Sequence, residues 1–249
     1  MISTSLGRAR EMWAGLARVP VAFPLDGVNV VVSPESWLCP PKWAGVVVLG
    51  GAAIATVPDG SLVEPLRDAL RTRVAESAVD LDRLRARLDV VDLLGPATLA
   101  YLDAGDFRMA HEAGTVDRLP VDHPAVRALV VSAGEADADE SGLEEVTSEV
   151  FAVRDGEEVI AAAGYRSWPA SVAHLSVLTA PRHRGHGLAR RAASAAVEDA
   201  LEDRLLPQWR ARPEPSRRVA RALGFGELGV QFSVRLGPVS DAGDERTLE

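Results

Sequence analysis

The chain has 249 residues, 47% of them hydrophobic and 25% charged, with a formal net charge of −9. That is a globular composition able to bury a core without covalent staples. The acidity argues against a general nucleic-acid binder, which needs a basic surface, and the single cysteine, Cys39, excludes an internal disulfide framework and a cysteine-based zinc site.

Residues 1–20 mix charged and apolar types without the apolar core of a signal peptide. Val28–Val32 is almost wholly β-branched and follows the turn-like Asp26-Gly27, which predicts a strand. Cys39 reads as a half-buried structural residue in a reducing compartment. The longest apolar run, from Trp43 to Val57, is interrupted by Gly50-Gly51. It is too short and broken to span a bilayer, so a cytoplasmic protein without a membrane partner is expected. A Gly-Gly pair between apolar runs predicts a hairpin, and no Walker-type motif accompanies it to suggest a phosphate loop. Leu62, Leu66, Leu70 and Val74 recur every four residues and predict a helix over Ser61–Val74. A second helix is expected over Asp80–Leu88, capped by Asp80. Leu94-Gly95-Pro96 reads as a break, Ala97–Leu102 as a short strand, and the polar stretch Asp103–Val121 as a soft domain boundary. His111 and Glu112 have no second ligand pair at a suitable spacing, so no metal site is expected.

The second half has a clearer rhythm. Gly134–Ser141 is small and acidic and reads as a loop; Glu144 and Glu145 follow in a short helix, more as a solvated face than as a cation site. Phe151–Val153 and Val159–Gly164 are strands around the turn Asp155-Gly156, and Val172–Thr179 is a third. A glycine-rich turn at Pro181–Gly187 leads into a helix reaching about Leu205. A strand at Pro207–Ala211, a helix at Ser216–Leu223 and a last strand near Val230–Leu236 complete the run. Strands alternating with helices imply an α/β sheet with a parallel portion, in which Val172–Thr179 runs antiparallel to Val159–Gly164 and parallel to Pro207–Ala211. The tail, residues 238–249, is polar and expected to be loose.

The turn Arg182-His183-Arg184-Gly185-His186-Gly187-Leu188-Ala189 has the physics of a diphosphate site. Gly185 and Gly187 permit backbone torsions closed to other residues and a close approach of ligand to main chain. The first N–H groups of the following helix lack intrahelical partners, and the helix dipole favours an anion beside them. Arg182 and Arg184 add positive charge. The helix carries one apolar stripe, Leu188/Ala189, Ala192/Ala193, Ala196/Val197 and Ala200/Leu201, with Arg190, Arg191, Ser194, Glu198 and Asp199 on its other side. So much alanine lets it sit close on a sheet.

Arg182-x-x-Gly185-x-Gly187 resembles the (Gln/Arg)-x-x-Gly-x-(Gly/Ala) signature of the GNAT superfamily of N-acetyltransferases, and Ser216–Phe225 is similar to that family's second landmark, a helix ending in Leu-Gly-Phe. The resemblance covers roughly Val121–Leu236. It implies the following organisation: a mixed, twisted α/β (α+β) sheet flanked by helices over 121–237, an N-terminal α/β subdomain over 1–115, set on the acceptor side, and a flexible tail over 238–249. It implies acetyl-CoA as co-substrate, without a metal, and an amine acceptor; a homodimer is compatible with it. The pyrophosphate would lie on Arg182, His183, Arg184, Gly185, His186, Gly187, Leu188 and Ala189. Pantetheine would pair with the backbone of Val177, Leu178 and Thr179, and Ser216 would add a contact.

Amide formation needs a base for the amine, stabilisation of an oxyanion, and an acid for the thiolate. Many members of the family place a carboxylate on the strand before the phosphate turn and a Tyr in the later helix. This sequence departs at both places. Its strand offers only His174 and Ser176, two apart and so on one face, and the later helix has Ala220 and Arg221. Pro213 stands where the family often has Asn. His174 is the candidate base and Ser176 its neighbour; Trp168 could line the acceptor cleft, while Trp209 packs in the sheet. The expected function is acetyl transfer to a small-molecule amine. Its rivals are a catalytically impaired acyl-CoA sensor or scaffold, and an unrelated nucleotide-phosphate module.

Overall fold

The computed structural model describes residues 5–70, 81–110 and 115–237. Along the chain come α1 (Ser5–Leu16), β1 (Gly27–Val32), β2 (Ala44–Leu49), β3 (Ala52–Val57), α2 (Val63–Leu70), α3 (Leu81–Arg87), β4 (Val90–Tyr101) and β5 (Asp117–Leu119). Then follow α4 (Pro124–Ala133), α5 (Glu135–Ser141), β6 (Val150–Asp155), β7 (Glu158–Trp168), β8 (Val172–Thr179), α6 (Leu188–Glu202), β9 (Leu206–Ala211), α7 (Glu214–Ala222) and β10 (Gly226–Leu236). The chain divides into two compact units, one of residues 13–96 and 230–249, the other of residues 1–12 and 97–229.

In the first unit, β1 pairs parallel with β3, and β3 pairs antiparallel with β2. The Gly50-Gly51 hairpin forms as the sequence predicts, with φ of 58° and 81° at its two glycines. Positive φ at both central residues suits the right-handed twist of flanking strands. The helix expected over Ser61–Val74 opens with a 3-10 turn at Gly60–Leu62, held by Asp59, whose carboxylate accepts from the Ser61 N–H, and is α-helical from Val63. Residues 71–80, and with them Val74 and the expected cap Asp80, lie outside the described residues. Cys39 is half-buried, and burial raises its thiol pKa. The expected break at Leu94-Gly95-Pro96 is corrected: β4 runs through it. Gly95 sits at φ 100°, a torsion only glycine adopts without strain, so the strand resumes beyond it.

The second unit holds strands in the order β4-β9-β8-β7-β6-β5. All neighbours are antiparallel except β8 and β9. The predicted antiparallel β7–β8 pair and parallel β8–β9 pair are both present, with α6 between the parallel strands. Alanine explains the closeness of α6: Ala192, Ala193, Ala196, Val197 and Ala200 are buried against Ala161, Ala163, Tyr165, Ala173 and Trp209. Ser194 departs from the expected polar side; it is buried, and its hydroxyl accepts from the Ala110 N–H. On the other face α4 packs Val126, Leu129 and Val130 against Ala152, Ala162 and Leu178. The expected loop Gly134–Ser141 is instead the helix α5. Gly134, at φ 85°, ends α4 and starts α5, while Ala136 and Ala138 among the acids keep the segment helical. A helix over 124–133 and the α1 helix were not foreseen from the sequence. Among the described residues, no helix is long and apolar enough to cross a membrane.

Candidate active site

Strand alternation sorts the second unit's side chains. Ala161, Ala163, Tyr165, Ala173, Leu175, Trp209 and Ala211 belong to the α6 side. The residues between them, Arg166 and Trp168 on β7, His174 and Ser176 on β8, and Arg210 on β9, point the other way and line a cavity of about 290 Å³. Its remaining wall comes from Asp139, Glu140 and Ser141 of α5, from Gly142 and Glu145, and from Ala97 and Arg212.

His174 is the best-held titratable group there. Its ring stacks on Trp168 with centroids 4.3 Å apart and planes 15° from parallel. Arg166 is its partner across the β7–β8 ladder. Its Nδ1 lies 2.9 Å from Gln208 Oε1, and Gln208 Nε2 donates to Tyr101 Oη at 2.8 Å. With the amide so oriented, Oε1 must accept, so His174 carries its proton on Nδ1 and a lone pair on Nε2. Burial is the main cause that pushes the His174 pKa down to about 4, helped by the charges of Arg210 and Arg166 and opposed by the Gln208 bond. The imidazole is therefore neutral throughout the physiological range.

Gln208 is wholly buried, and both ends of its amide are used. Gln208→Leu strands the His174 N–H and a Tyr101 partner at once. It is expected to cost about 1–3 kcal/mol of stability, the penalty of leaving a buried polar group unpaired, read as a lower urea midpoint at unchanged slope.

Beside the cavity, β8 and β9 part. Their ladder runs Val172↔Leu206, Ala173↔Pro207 and His174↔Gln208, and stops there, while β8 stays paired with β7 through Thr179. The backbone of Leu175–Thr179 thus keeps an edge without a strand partner on the β9 side. Thr179 Oγ1 is buried there without a hydrogen-bond partner. A 3-10 turn at Pro181–His183 follows, then Gly185 at φ 83° and Gly187 at φ 77°. Gly187 is the N-cap of α6 and supplies no side-chain bond, so the first-turn N–H groups keep no cap. A Cβ built on Gly185 would meet no atom within 4 Å, so the turn is open above it. Arg182 pairs with Glu158, and Arg184 with Asp137 at 2.6 Å, all four side chains well exposed. Exposed pairs of this kind are weak enough to be exchanged for a phosphate.

A family model described as GNAT acetyltransferase matches residues 150–229, the segment that holds the open strand pair, the glycine turn and α6. The segment 150–229 is a GNAT acetyltransferase domain. A GCN5-related N-acetyltransferase from Kribbella flavida has a TM-score of 0.50 at 15% identity, over 97% of this chain and 99% of its own. A GNAT-family acetyltransferase from Colwellia psychrerythraea gives 0.48 at 12%, over 95% and 98%. A putative GNAT-family acetyltransferase from Novosphingobium aromaticivorans gives 0.45 at 20%, over 58% of this chain; the chain spans 65% of that protein's length. At such identities the likeness is one of fold. No curated protein matches the chain.

Within the GNAT domain the other expected residues fall as follows. The Ser176 hydroxyl donates to the Gly142 carbonyl at 3.2 Å and ties β8 to the end of α5. Val177 and Leu178 lie on the unpaired edge of β8. The Arg182 guanidinium donates to His183 Nε2 at 3.1 Å, and the His186 ring sits 3.3 Å from the His183 carbonyl oxygen. Leu188 and Ala189 open α6. Ser216 is not the N-cap of its helix: α7 starts at Glu214 with Pro213 in the capping position, and Ser216 accepts from the Trp209 indole N–H at 3.0 Å. Trp209 packs in the core edge-on to Phe225, as expected. Trp168 lines the cavity; Glu145 does too, paired with Arg166 at 2.6 Å.

The two tyrosines are bonded inward. Tyr165 donates to Asp199 at 2.8 Å, and burial together with that bond raises its pKa. Among the described residues no group of three or more His, Cys, Asp or Glu side chains could hold a metal; His111 and Glu112 lie outside them. Sequence reading missed Gln208, Arg210 and Arg212. The signal was available, since Gln208 and Arg210 alternate along β9 as His174 and Ser176 do along β8, with Arg212 one residue past the end of the strand.

Proposed function

We propose that this protein is an acetyl-CoA-dependent N-acetyltransferase of a small-molecule amine, with no metal in the reaction. The observation that carries this reading is the parting of β8 and β9 after His174↔Gln208, directly ahead of an uncapped helix start and an open glycine turn. Edge backbone at Leu175–Thr179 can take an extended amide-bearing arm as an added strand. The N–H groups from Gly185 to Ala189, with Arg182 and Arg184, can take a diphosphate. The orphaned Thr179 hydroxyl gives a further donor at the junction of the two. Coenzyme A has both parts in that order, and its thioester supplies the activated acyl group.

The chain's own work is then positioning and proton handling. The cavity on the His174 face holds the amine, and the neutral His174 Nε2 takes a proton as nitrogen attacks. Trp168 and Gln208 fix the ring from its face and its Nδ1 side. The test is release of free thiol from acetyl-CoA in the presence of a panel of amines, polyamines and amino acids, with calorimetric binding of CoA beside it. A second reading, an acyl-CoA sensor, is favoured by one observation: both tyrosines are buried and neither lines the cavity, and Tyr165 gives its hydroxyl proton to Asp199. CoA binding without thiol release for any acceptor selects that reading.

A further inference from the structure

The cavity's charges do not cancel pairwise. It is lined by three acids and three guanidinium groups. Arg166 is paired with Glu145, and Arg212 makes a two-pronged contact with Glu140. Asp137, one turn along the α5 surface, is taken by Arg184. That leaves Asp139 and Arg210, which make no side-chain hydrogen bond or ion pair among the described residues. One uncompensated anion and one uncompensated cation therefore line the same cavity, which is open to solvent. Arg210 lies on β9 two residues beyond Gln208, on the His174 face, and its charge acts on the His174 ring.

Resting on the acyltransfer reading above, we propose that the acceptor is a free α-amino acid, held with its carboxylate on Arg210 and its ammonium group directed to Asp139 and His174. A plain amine would bring a second cation beside Arg210 and leave that guanidinium unanswered. A plain carboxylate would leave Asp139 unanswered and offer no nucleophile. A zwitterion answers both charges. Its carboxylate is one carbon from its nitrogen, so anchoring it on Arg210 keeps the nitrogen next to His174. A guanidinium is also the group whose planar fork fits a carboxylate two-pronged. The reaction then balances as amino acid plus acyl thioester giving N-acyl amino acid plus thiol. The N–C bond forms and the C–S bond breaks; the ammonium nitrogen gives up two protons, one taken by His174 Nε2 and passed to water, and one that ends on sulfur.

The experiment measures thiol release from acetyl-CoA with the twenty L-amino acids, their α-carboxamides, and spermidine. Expected is turnover of one or more acids, with kcat/KM for the matching amide about 10–100-fold lower, the scale of removing one charge-assisted hydrogen bond. Arg210→Gln should lower kcat/KM for the acid over the same range and erase the preference over the amide. Arg210→Lys should keep part of it, and CoA affinity should stay at the wild-type value in both, which also shows that they fold. Amides or spermidine used as well as acids would overturn the inference and leave acyltransfer standing. So would an acid preference that survives Arg210→Gln. CoA binding with no thiol release from any acceptor would overturn the acyltransfer reading, and the inference with it.

Discussion

Replacing His174 by Ala is expected to lower kcat by about 10²–10⁴-fold, the usual contribution of a positioned general base, while CoA affinity stays unchanged. The donor is assigned to backbone groups from Leu175 onward and to the turn, none of which depends on the imidazole. The pH profile gives the sharper readout. Around the ring stand Arg210 and Gln208 from β9, Arg166 and Trp168 from β7, Ser176 from its own strand, and Asp139, Glu140 and Glu145 across the cavity. Burial, Arg210 and Arg166 together hold the pKa at about 4, below the ordinary 6.5. A depressed pKa means that the base form is populated at neutrality and is lost only as pH falls through the folded value. In the free enzyme, kcat/KM should thus hold down to about pH 4. Over the window from 6.5 to 4 the unfolded chain gains a proton that the folded one does not, so stability also declines there on acidification. Circular dichroism at each pH separates that loss from the catalytic one. If catalysis rests on positioning alone, the His174→Ala enzyme keeps nearly full kcat at every pH, and the base assignment is lost.

Much of the fold around this histidine was legible in the residues. Periods of two and of 3.6 separate β7, β8 and β9 from α6 and α7 without ambiguity, because each buries one face against a packed neighbour. The expected β8 limits, Val172–Thr179, are those found. The errors have local causes. Glu135–Ser141 looks like a loop because acids crowd a segment with no apolar stripe, yet two alanines and a glycine start suffice for two helical turns. Gly95-Pro96 carries every mark of a break, but a strand can pass through a glycine at positive φ. The helix expected from Ser216 starts at Glu214, because a helix tolerates proline in its first turn, here Pro215.

The site was legible in one half and not in the other. The glycine turn is local: two glycines, two arginines and a helix start lie within eight residues, so the chain spells it out. The cavity on the His174 face is assembled from β4, α5, β7, β8, β9 and the residues flanking them, up to 115 positions apart, from Ala97 to Arg212. No spacing in the sequence encodes that meeting. The burial that sets the His174 pKa, and the pairing that leaves Asp139 and Arg210 over, depend on neighbours that only the fold supplies.

Valine at Gly185 or Gly187 is expected to weaken CoA binding by about 10–100-fold, the loss of one or two hydrogen bonds to a charged phosphate. Both glycines sit in the left-handed region, at φ 83° and 77°. A β-branched side chain there costs roughly 1–2 kcal/mol in backbone strain, and the turn would relax away from the torsions that aim its N–H groups outward. At Gly185 the added atoms would also fill the space above the turn, which no atom of the chain occupies within 4 Å. Strain alone is controlled by Gly156→Val. Gly156, at φ 57° in the β6–β7 turn, is equally left-handed and equally open, and is assigned no ligand. All three variants should lose similar thermal stability, and only the two in the α6 turn should lose affinity in calorimetric titration with CoA. A folded Gly185→Val protein that binds CoA as tightly as the parent would remove the diphosphate from this turn. Equal losses at Gly156 and Gly185 would trace the effect to stability and not to the site.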